Sequence, residues 1–188
     1  MADSIETEVK IRMPGGAAEA LDHIERHGFH VRTPRSLQAD QVFDRPDSDL
    51  RNARQLLRVR SENGRAILTF KGTPFPGPYK SREELEASTE DAAALIKILD
   101  RLGYVPSFRY EKYRTSFALP GETDATAGVL TMDETPIGVF LELEGPESWI
   151  DRTALRLGFS AKDYMTVSYA TLYREHRAVH GGVPDMVF

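Results

Sequence analysis

The sequence predicts an α+β domain dominated by one largely antiparallel sheet. Three observations carry this reading. Apolar and polar residues alternate at every second position in segment after segment, a few other segments repeat apolar residues at helical spacing, and turn residues punctuate the chain at short intervals.

The first strand is read at residues 5–13, where Ile5, Val9, Ile11 and Met13 take odd positions and Glu6, Glu8, Lys10 and Arg12 even ones. Pro14-Gly15-Gly16 ends it. Residues 17–27 read as an amphipathic helix, with Ala17, Ala20, Leu21 and Ile24 on one face and Gly28 as its stop. Residues 29–31 and 36–43 look extended, and Arg45 to Asp49 is a loop. A strand at 55–61 turns at Glu62-Asn63-Gly64-Arg65 into its partner at 66–71. Residues 72–78 hold three prolines and two glycines and cannot pair inside a sheet. Alternation resumes at 79–86. Ser88 or Thr89 is the expected cap of a second helix, whose apolar face is Leu95, Ile98, Leu99 and Leu102 before Gly103. Strands are expected at 108–119, 128–134 and 138–144, a short helix at 150–157 before Gly158, and a last helix at 166–177. The domain is therefore set at 1–178, with 179–188 as a flexible tail beginning near Gly181-Gly182.

Composition narrows the function. The 188 residues carry 24 Lys+Arg against 29 Asp+Glu, a formal charge of −5, and no cysteine. The missing cysteine excludes disulfides, thiolate zinc sites, iron–sulfur clusters and a cysteine nucleophile. No apolar run approaches a membrane span, so no membrane partner is expected. Met1 to Glu6 lacks the basic and apolar regions of a secretory leader, and a cytoplasmic protein is expected. The mild acidity argues against a nucleic-acid partner. The five histidines form no metal set, since His23 and His27 share their helix face with Ala20 and Ile24. The segment Gly72-Thr73-Pro74-Phe75-Pro76-Gly77 lacks the lysine-serine and following helix of a phosphate loop, and reads instead as a loop at a site mouth.

The anomaly lies on the polar faces of the strands. Glu6, Glu8 and Lys10 are co-facial, as are Arg58 and Arg60, then Arg82, Glu84 and Glu86, then Lys112 and Arg114, then Glu142 and Glu144, with Lys71 and Asp133 on neighbouring strands. The opposite positions (Ile5, Val9, Ile11, Leu57, Val59, Leu68, Phe70, Leu85, Leu130, Met132, Val139, Leu141, Leu143) are apolar and suit packing beneath helices. A solvated sheet face would also hold Ser, Thr, Asn and Gln. Dense charge of both signs on strand after strand favours a shared interior instead, which is tolerable when a ligand and metal complete the pairing. The basic set suits phosphate oxygens, and the carboxylates supply hard oxygen ligands for Mg²⁺ or Mn²⁺. Together these are the components of metal-assisted phosphoryl or nucleotidyl transfer.

At these residues the chain resembles the CYTH superfamily, named for class IV adenylate cyclase and thiamine triphosphatase and also called the triphosphate tunnel metalloenzymes. The Glu-x-Glu-x-Lys signature is Glu6-Thr7-Glu8-Val9-Lys10. It is followed in order by Leu57-Arg58-Val59-Arg60, Thr69-Phe70-Lys71-Gly72, Ser81-Arg82-Glu83-Glu84-Leu85-Glu86, Glu111-Lys112-Tyr113-Arg114, Met132-Asp133-Glu134, Phe140-Leu141-Glu142-Leu143-Glu144-Gly145 and Ser168-Tyr169. The resemblance implies a closed or nearly closed antiparallel barrel of about eight strands around a charged tunnel, with helices outside. It implies Glu6, Glu8, Asp133, Glu142 and Glu144 as metal residues. Lys10, Arg58, Arg60, Lys71, Arg82, Lys112 and Arg114, with Lys162 as a late addition, would bind a triphosphate, and Lys10 and Glu8 would be catalytic. Family members are often dimeric, so a homodimer is compatible, though no patch in the sequence marks an interface. Val42, within Asp40-Gln41-Val42-Phe43-Asp44, stands where the family usually has a tyrosine, which counts against thiamine triphosphate chemistry.

Three activities follow. The first is divalent-metal-dependent hydrolysis of tripolyphosphate or another triphosphate, with water attacking the terminal phosphorus and Lys10 positioning it or neutralising developing charge. The second is cyclisation of ATP to cyclic AMP and pyrophosphate, which needs an adenine pocket that the sequence does not reveal. The third is a polyphosphate- or nucleotide-binding module without catalysis, which the intact carboxylate set disfavours.

Overall fold

The computed structural model describes residues 5–121 and 128–188. Residues 1–4, part of the segment read for a leader, lie outside the described residues. The described strands are β1 (Ile5–Met13), β2 (His30–Asp44), β3 (Leu56–Glu62), β4 (Arg65–Lys71), β5 (Lys80–Thr89), β6 (Val105–Ala118), β7 (Val129–Thr135) and β8 (Gly138–Glu144). They close into a barrel in the order β1-β5-β4-β3-β2-β6-β7-β8, with every pairing antiparallel. Closure leaves no unpaired edge, and period-two alternation along every strand then separates a lumenal set of side chains from an outer set.

The outer set is the hydrophobic core. Val9, Ile11, Leu130, Leu141 and Leu143 pack beneath Ala20 and Ile24 of α1 (Ala17–Arg26) and Trp149, Ile150 and Ala154 of α4 (Glu147–Arg156). Phe43, Leu57, Val59 and Ala66 pack against Leu99 of α3 (Ala92–Arg101), with Leu68, Phe70 and Leu95 around them. Each fully buried large aliphatic side chain contributes about 1.5–3 kcal/mol, so the wall is held from outside. Ile5 and Leu85, expected to pack with this set, are 47 % and 52 % exposed. A third cluster breaks the rule. Tyr169, Leu172 and Tyr173 of α5 (Tyr169–His180) pack on Tyr110 and Phe140, which share the lumenal parity of Lys112 and Glu142. One wall of the interior is therefore lined by a helix.

Several boundaries differ from the sequence reading. The extended pieces at 29–31 and 36–43 are one strand, β2, running through Pro34. Register shifts between Val31 and Thr33 and between Thr33 and Ser36 absorb the missing N–H. A four-residue helix, α2 (Asp49–Asn52), occupies the loop after β2, and the buried Asp44 carboxylate holds it by accepting the N–H of Arg45, Leu50 and Arg51 at 2.7, 3.0 and 3.0 Å. Strand β5 runs on through Ser88 and Thr89, so the cap of α3 is Asp91, whose carboxylate accepts Ala94 N–H at 2.8 Å. Helix α4 begins earlier than read, and α5 starts at Tyr169, capped by Ser168. Within 179–188, the first two residues complete α5. Met186 is fully buried and exchanges backbone hydrogen bonds with Arg109 and Glu111 of β6.

The turn after β8 depends on two glycines. Gly145 has φ +149°, and a Cβ there would sit 2.6 Å from the Gly128 Cα; a Cβ on Gly128 would sit 2.4 Å from the Trp149 ring. Gly145→Ala is expected to cost about 3 kcal/mol, read as a lower urea midpoint with an unchanged slope. An unaltered midpoint would show that the strand end can shift.

Candidate active site

Cross-strand register brings acid and base together inside the barrel. Lys10 lies opposite Glu142, Glu8 opposite Lys80, Glu6 opposite Arg82, Lys71 opposite Glu84, Asp40 opposite Arg60 and Arg114 opposite Asp133. The side chains meet accordingly. Lys10 Nζ is 3.0 Å from Glu142 Oε1 and 3.1 Å from Glu8 Oε1, which also takes Lys80 Nζ at 2.6 Å. Lys71 Nζ donates to Glu6 Oε1 at 2.5 Å and lies 3.0 Å from Glu84. Arg60 Nε donates to Asp40 Oδ1 at 2.9 Å. Arg58 donates to Thr69 Oγ1 at 3.0 Å and to the Tyr110 hydroxyl at 3.3 Å.

The described residues enclose a cavity of about 900 Å³ in this interior, within the range that takes drug-sized molecules. Glu6, Glu8, Lys10, Arg58, Arg60, Lys71, Arg82, Lys112, Arg114, Glu142 and Glu144 of the sequence-derived set all line it. Asp133 does not. It is fully buried behind the lining, where its carboxylate accepts Lys112 Nζ, Arg114 Nε and Nη2 at 2.7 Å each and the Tyr169 hydroxyl at 2.8 Å. Arg114 also reaches Glu142. Lys162 is exposed in a 3-10 turn (Ala161–Asp163) and does not line the cavity, so the structure does not bring it to the others. Sequence reasoning missed Lys80, although it continues the two-residue spacing of Arg82, Glu84 and Glu86. It also missed Asp40, which has no co-facial charged neighbour to flag it, and gave no site role to Tyr169, although Ser168-Tyr169 is among the motifs that carry the resemblance.

Electrostatics divides the carboxylates. Burial alone would raise Glu8, but the ammonium groups of Lys10 and Lys80 outweigh it and hold Glu8 well below the usual carboxylate range. Glu142 is likewise held well below by Lys10, Lys112 and Arg114 against burial, and Asp133 is lowered by Arg114 and Lys112 against burial. Glu6 and Glu144 go the other way. Desolvation and the neighbouring Glu8 push Glu6 up. Glu144 is exposed as a residue, but its carboxyl faces the cavity, and desolvation there together with Glu6 and Glu8 pushes it up to about 7. Burial pulls Lys80 down to about 8, and burial with Arg114 pulls Lys112 down to about 8.

This division bears on a metal. Among the described residues no group of three or more acidic or histidine side chains is already drawn together as a closed metal shell. Yet Glu6 Oε2 is buried with no hydrogen-bond partner, and Glu6, Glu8 and Glu144 repel one another, with Glu8 and Glu144 opposite each other across β1 and β8. Lys10, Lys71, Lys80 and Arg82 offset part of this charge, and the mutual repulsion that remains, with a hard carboxylate oxygen lacking a hydrogen bond, fits a divalent cation. Asp133, by contrast, has its acceptors filled.

The CYTH domain family model matches residues 4–169. "Putative adenylate cyclase MJ0240" from Methanocaldococcus jannaschii is 31 % identical over 142 residues, which are 74 % of this chain and 76 % of that protein. PH1819 from Pyrococcus horikoshii aligns in structure with a TM-score of 0.75 at 25 % identity, covering 92 % of this chain and 99 % of that one. HpAC1 from Hippeastrum, an adenylyl cyclase by name and described as having a dominant triphosphatase activity, aligns with a TM-score of 0.63 at 20 % identity over 91 % and 96 % of the two chains. No helix among the described residues is long and apolar enough to cross a membrane.

Proposed function

The chain belongs to the CYTH domain family, and from that premise we propose that it is an enzyme hydrolysing a triphosphate in the barrel lumen with the help of Mg²⁺ or Mn²⁺. The observation that carries this reading is the convergence of Lys10, Arg58, Lys71, Arg82 and Lys112, all buried, and the partly buried Arg114 on one cavity. Arg58 Nε and Arg82 Nε face Asp40 and Glu6 at 3.3 and 3.6 Å without forming a hydrogen bond, and guanidinium forks of this kind match phosphate oxygens.

Each group then has a role. Arg58, Arg60, Arg82, Lys71, Lys112 and Arg114 hold the phosphate chain in line, and Lys80 joins them. Lys10, fixed between Glu8 and Glu142, sits where it can offset charge developing on the attacked phosphoryl group. Glu6, Glu8 and Glu144 would hold a divalent ion, which would supply charge neutralisation at the phosphoryl oxygens. Asp133 and Glu142 would hold Lys112, Arg114 and Lys10 in position for the phosphate chain. Water forms the new bond to the terminal phosphorus, the bridging oxygen leaves with the bonding pair, and the proton passes to solvent.

The cyclase name of the relative supports a second reading, in which the same cradle holds ATP and the ribose 3′-hydroxyl attacks the α-phosphorus with release of pyrophosphate. One assay separates them: purified protein with Mg²⁺ or Mn²⁺ is offered tripolyphosphate and ATP, and phosphate, pyrophosphate and cyclic AMP are quantified. Phosphate release from tripolyphosphate without cyclic AMP is the expected result. Cyclic AMP with stoichiometric pyrophosphate overturns it, and tight binding without turnover leaves a binding module. Lys162→Ala is expected to change kcat and KM less than twofold in this assay, because the side chain is exposed and outside the cavity. A large rise in KM would bring Lys162 back to the substrate.

A further inference from the structure

The cavity does not end at the barrel wall. Beyond it, the space continues between the segment around α2 and one side of α5, and there Arg51, Arg54 and Arg174 line it. We propose that these arginines form a subsite for phosphate groups beyond the third, so that the tunnel takes phosphate chains longer than a triphosphate. The inference rests on the triphosphate reading of the lumen and extends it outward.

Inside the lumen each of Lys10, Arg60, Lys71, Lys80, Lys112 and Arg114 lies within ion-pair distance of a carboxylate. At the outer part of the same cavity this balance fails. Among the described residues the guanidinium groups of Arg51, Arg54 and Arg174 have neither an ion pair nor a hydrogen bond, and Arg177 beside them gives only Nε to the Gly182 carbonyl at 3.3 Å. Asp44 shares that part of the wall, but its oxygens are spent on backbone N–H groups of Arg45, Leu50 and Arg51. The three side chains are exposed to solvent, so their guanidinium forks, with no acid partner to give up, remain open to phosphate oxygens.

The backbone that carries Arg51 and Arg54 is tied down, and Arg174 sits on helix α5. Asp44 ties three N–H groups of the segment, and the Thr73 hydroxyl donates to the Ala53 carbonyl at 2.8 Å. Arg54 itself has φ +59° and Ser48 φ +64°, a left-handed conformation disfavoured for residues with a side chain. At Arg54 it orients a cationic residue of the cavity lining. The cavity's 900 Å³ also exceeds what a bare triphosphate requires, leaving room for a chain that emerges from the lumen.

The test is chain-length dependence. Dissociation constants for inorganic tri-, tetra- and pentaphosphate are measured by calorimetry with Mg²⁺ present, for the wild type, for Arg54→Ala/Arg174→Ala, and for a control, Arg152→Ala/Lys97→Ala, whose side chains lie outside the cavity. Wild type is expected to bind pentaphosphate at least tenfold more tightly than tripolyphosphate. The rim variant should shrink that ratio below threefold while its tripolyphosphate constant stays within twofold, and the control should keep the wild-type ratio. Adenosine 5′-tetraphosphate compared with ATP tells whether the added phosphate is read equally on a nucleoside-capped chain or only on an inorganic one. Length-independent binding by the wild type, or a length preference that survives in the rim variant or vanishes in the control, overturns the subsite alone. Failure of the wild type to bind tripolyphosphate at all overturns the lumenal reading and the subsite with it.

Discussion

Glu8→Gln is expected to lower kcat for tripolyphosphate about 100-fold or more while sparing measurable affinity for the phosphate chain. Glutamine keeps the shape of the side chain but removes the anion that Lys80 approaches at 2.6 Å and Lys10 at 3.1 Å. Two consequences combine. A divalent ion bound as proposed would lose a charged ligand beside Glu6 and Glu144, and Lys10 loses one of the two carboxylates that fix it. Affinity survives because Arg58, Arg82 and Arg114 remain, so the effect should fall on kcat more than on KM. The measurement is phosphate release at saturating Mn²⁺, paired with calorimetric binding of tripolyphosphate to the variant. Unchanged turnover removes Glu8 from the metal site.

Asp133→Ala should be the most damaging substitution for stability, by about 3–5 kcal/mol. The carboxylate is fully buried and compensates Lys112 and Arg114 while accepting the Tyr169 hydroxyl. Truncation leaves both cations facing each other with Glu142 as the remaining partner, and it orphans a phenol that burial and the two carboxylates hold as a hydroxyl, well above its usual pKa. The expected readout is a fall in the denaturation midpoint that added tripolyphosphate partly reverses, because the ligand's oxygens replace the lost acceptor. Loss of stability without any rescue by ligand would mean that Lys112 and Arg114 do not reach the phosphate chain.

Much of this arrangement was legible because a strand reports its two faces separately. The alternation Glu6, Glu8, Lys10 against Val9, Ile11, Met13 states which side is charged, and the closed barrel turns that side inward. What alternation does not state is which lumenal carboxylate is spoken for. Asp133 and Glu144 have the same parity relative to the barrel, yet one has its acceptors filled by four donated bonds and the other is crowded by its own kind. That difference arises from long-range register. Local rules also misled. Residues 29–31 and 36–43 read as separate extended pieces, but bulged register carries β2 from one to the other past Pro34. Ser88 and Thr89 look like caps, yet pairing with Ile67 and Ala66 keeps them in β5. The α2 helix is too short for any periodicity, and the buried Asp44 carboxylate that builds it is visible only once the loop has folded.

The outward-facing hydrocarbon has an implication for how such a protein can change. Away from Asp133 and the α5 cluster, most of the cohesion lies on the outer surface of the wall and the selective charge on the inner one, so exchanging one cavity-lining ion pair for another alters what is admitted without thinning the grease that keeps the wall upright. Libraries confined to inward positions on β3, β5 and β6 should therefore yield folded variants with new guests far more often than libraries of equal size in a conventional oil-filled barrel.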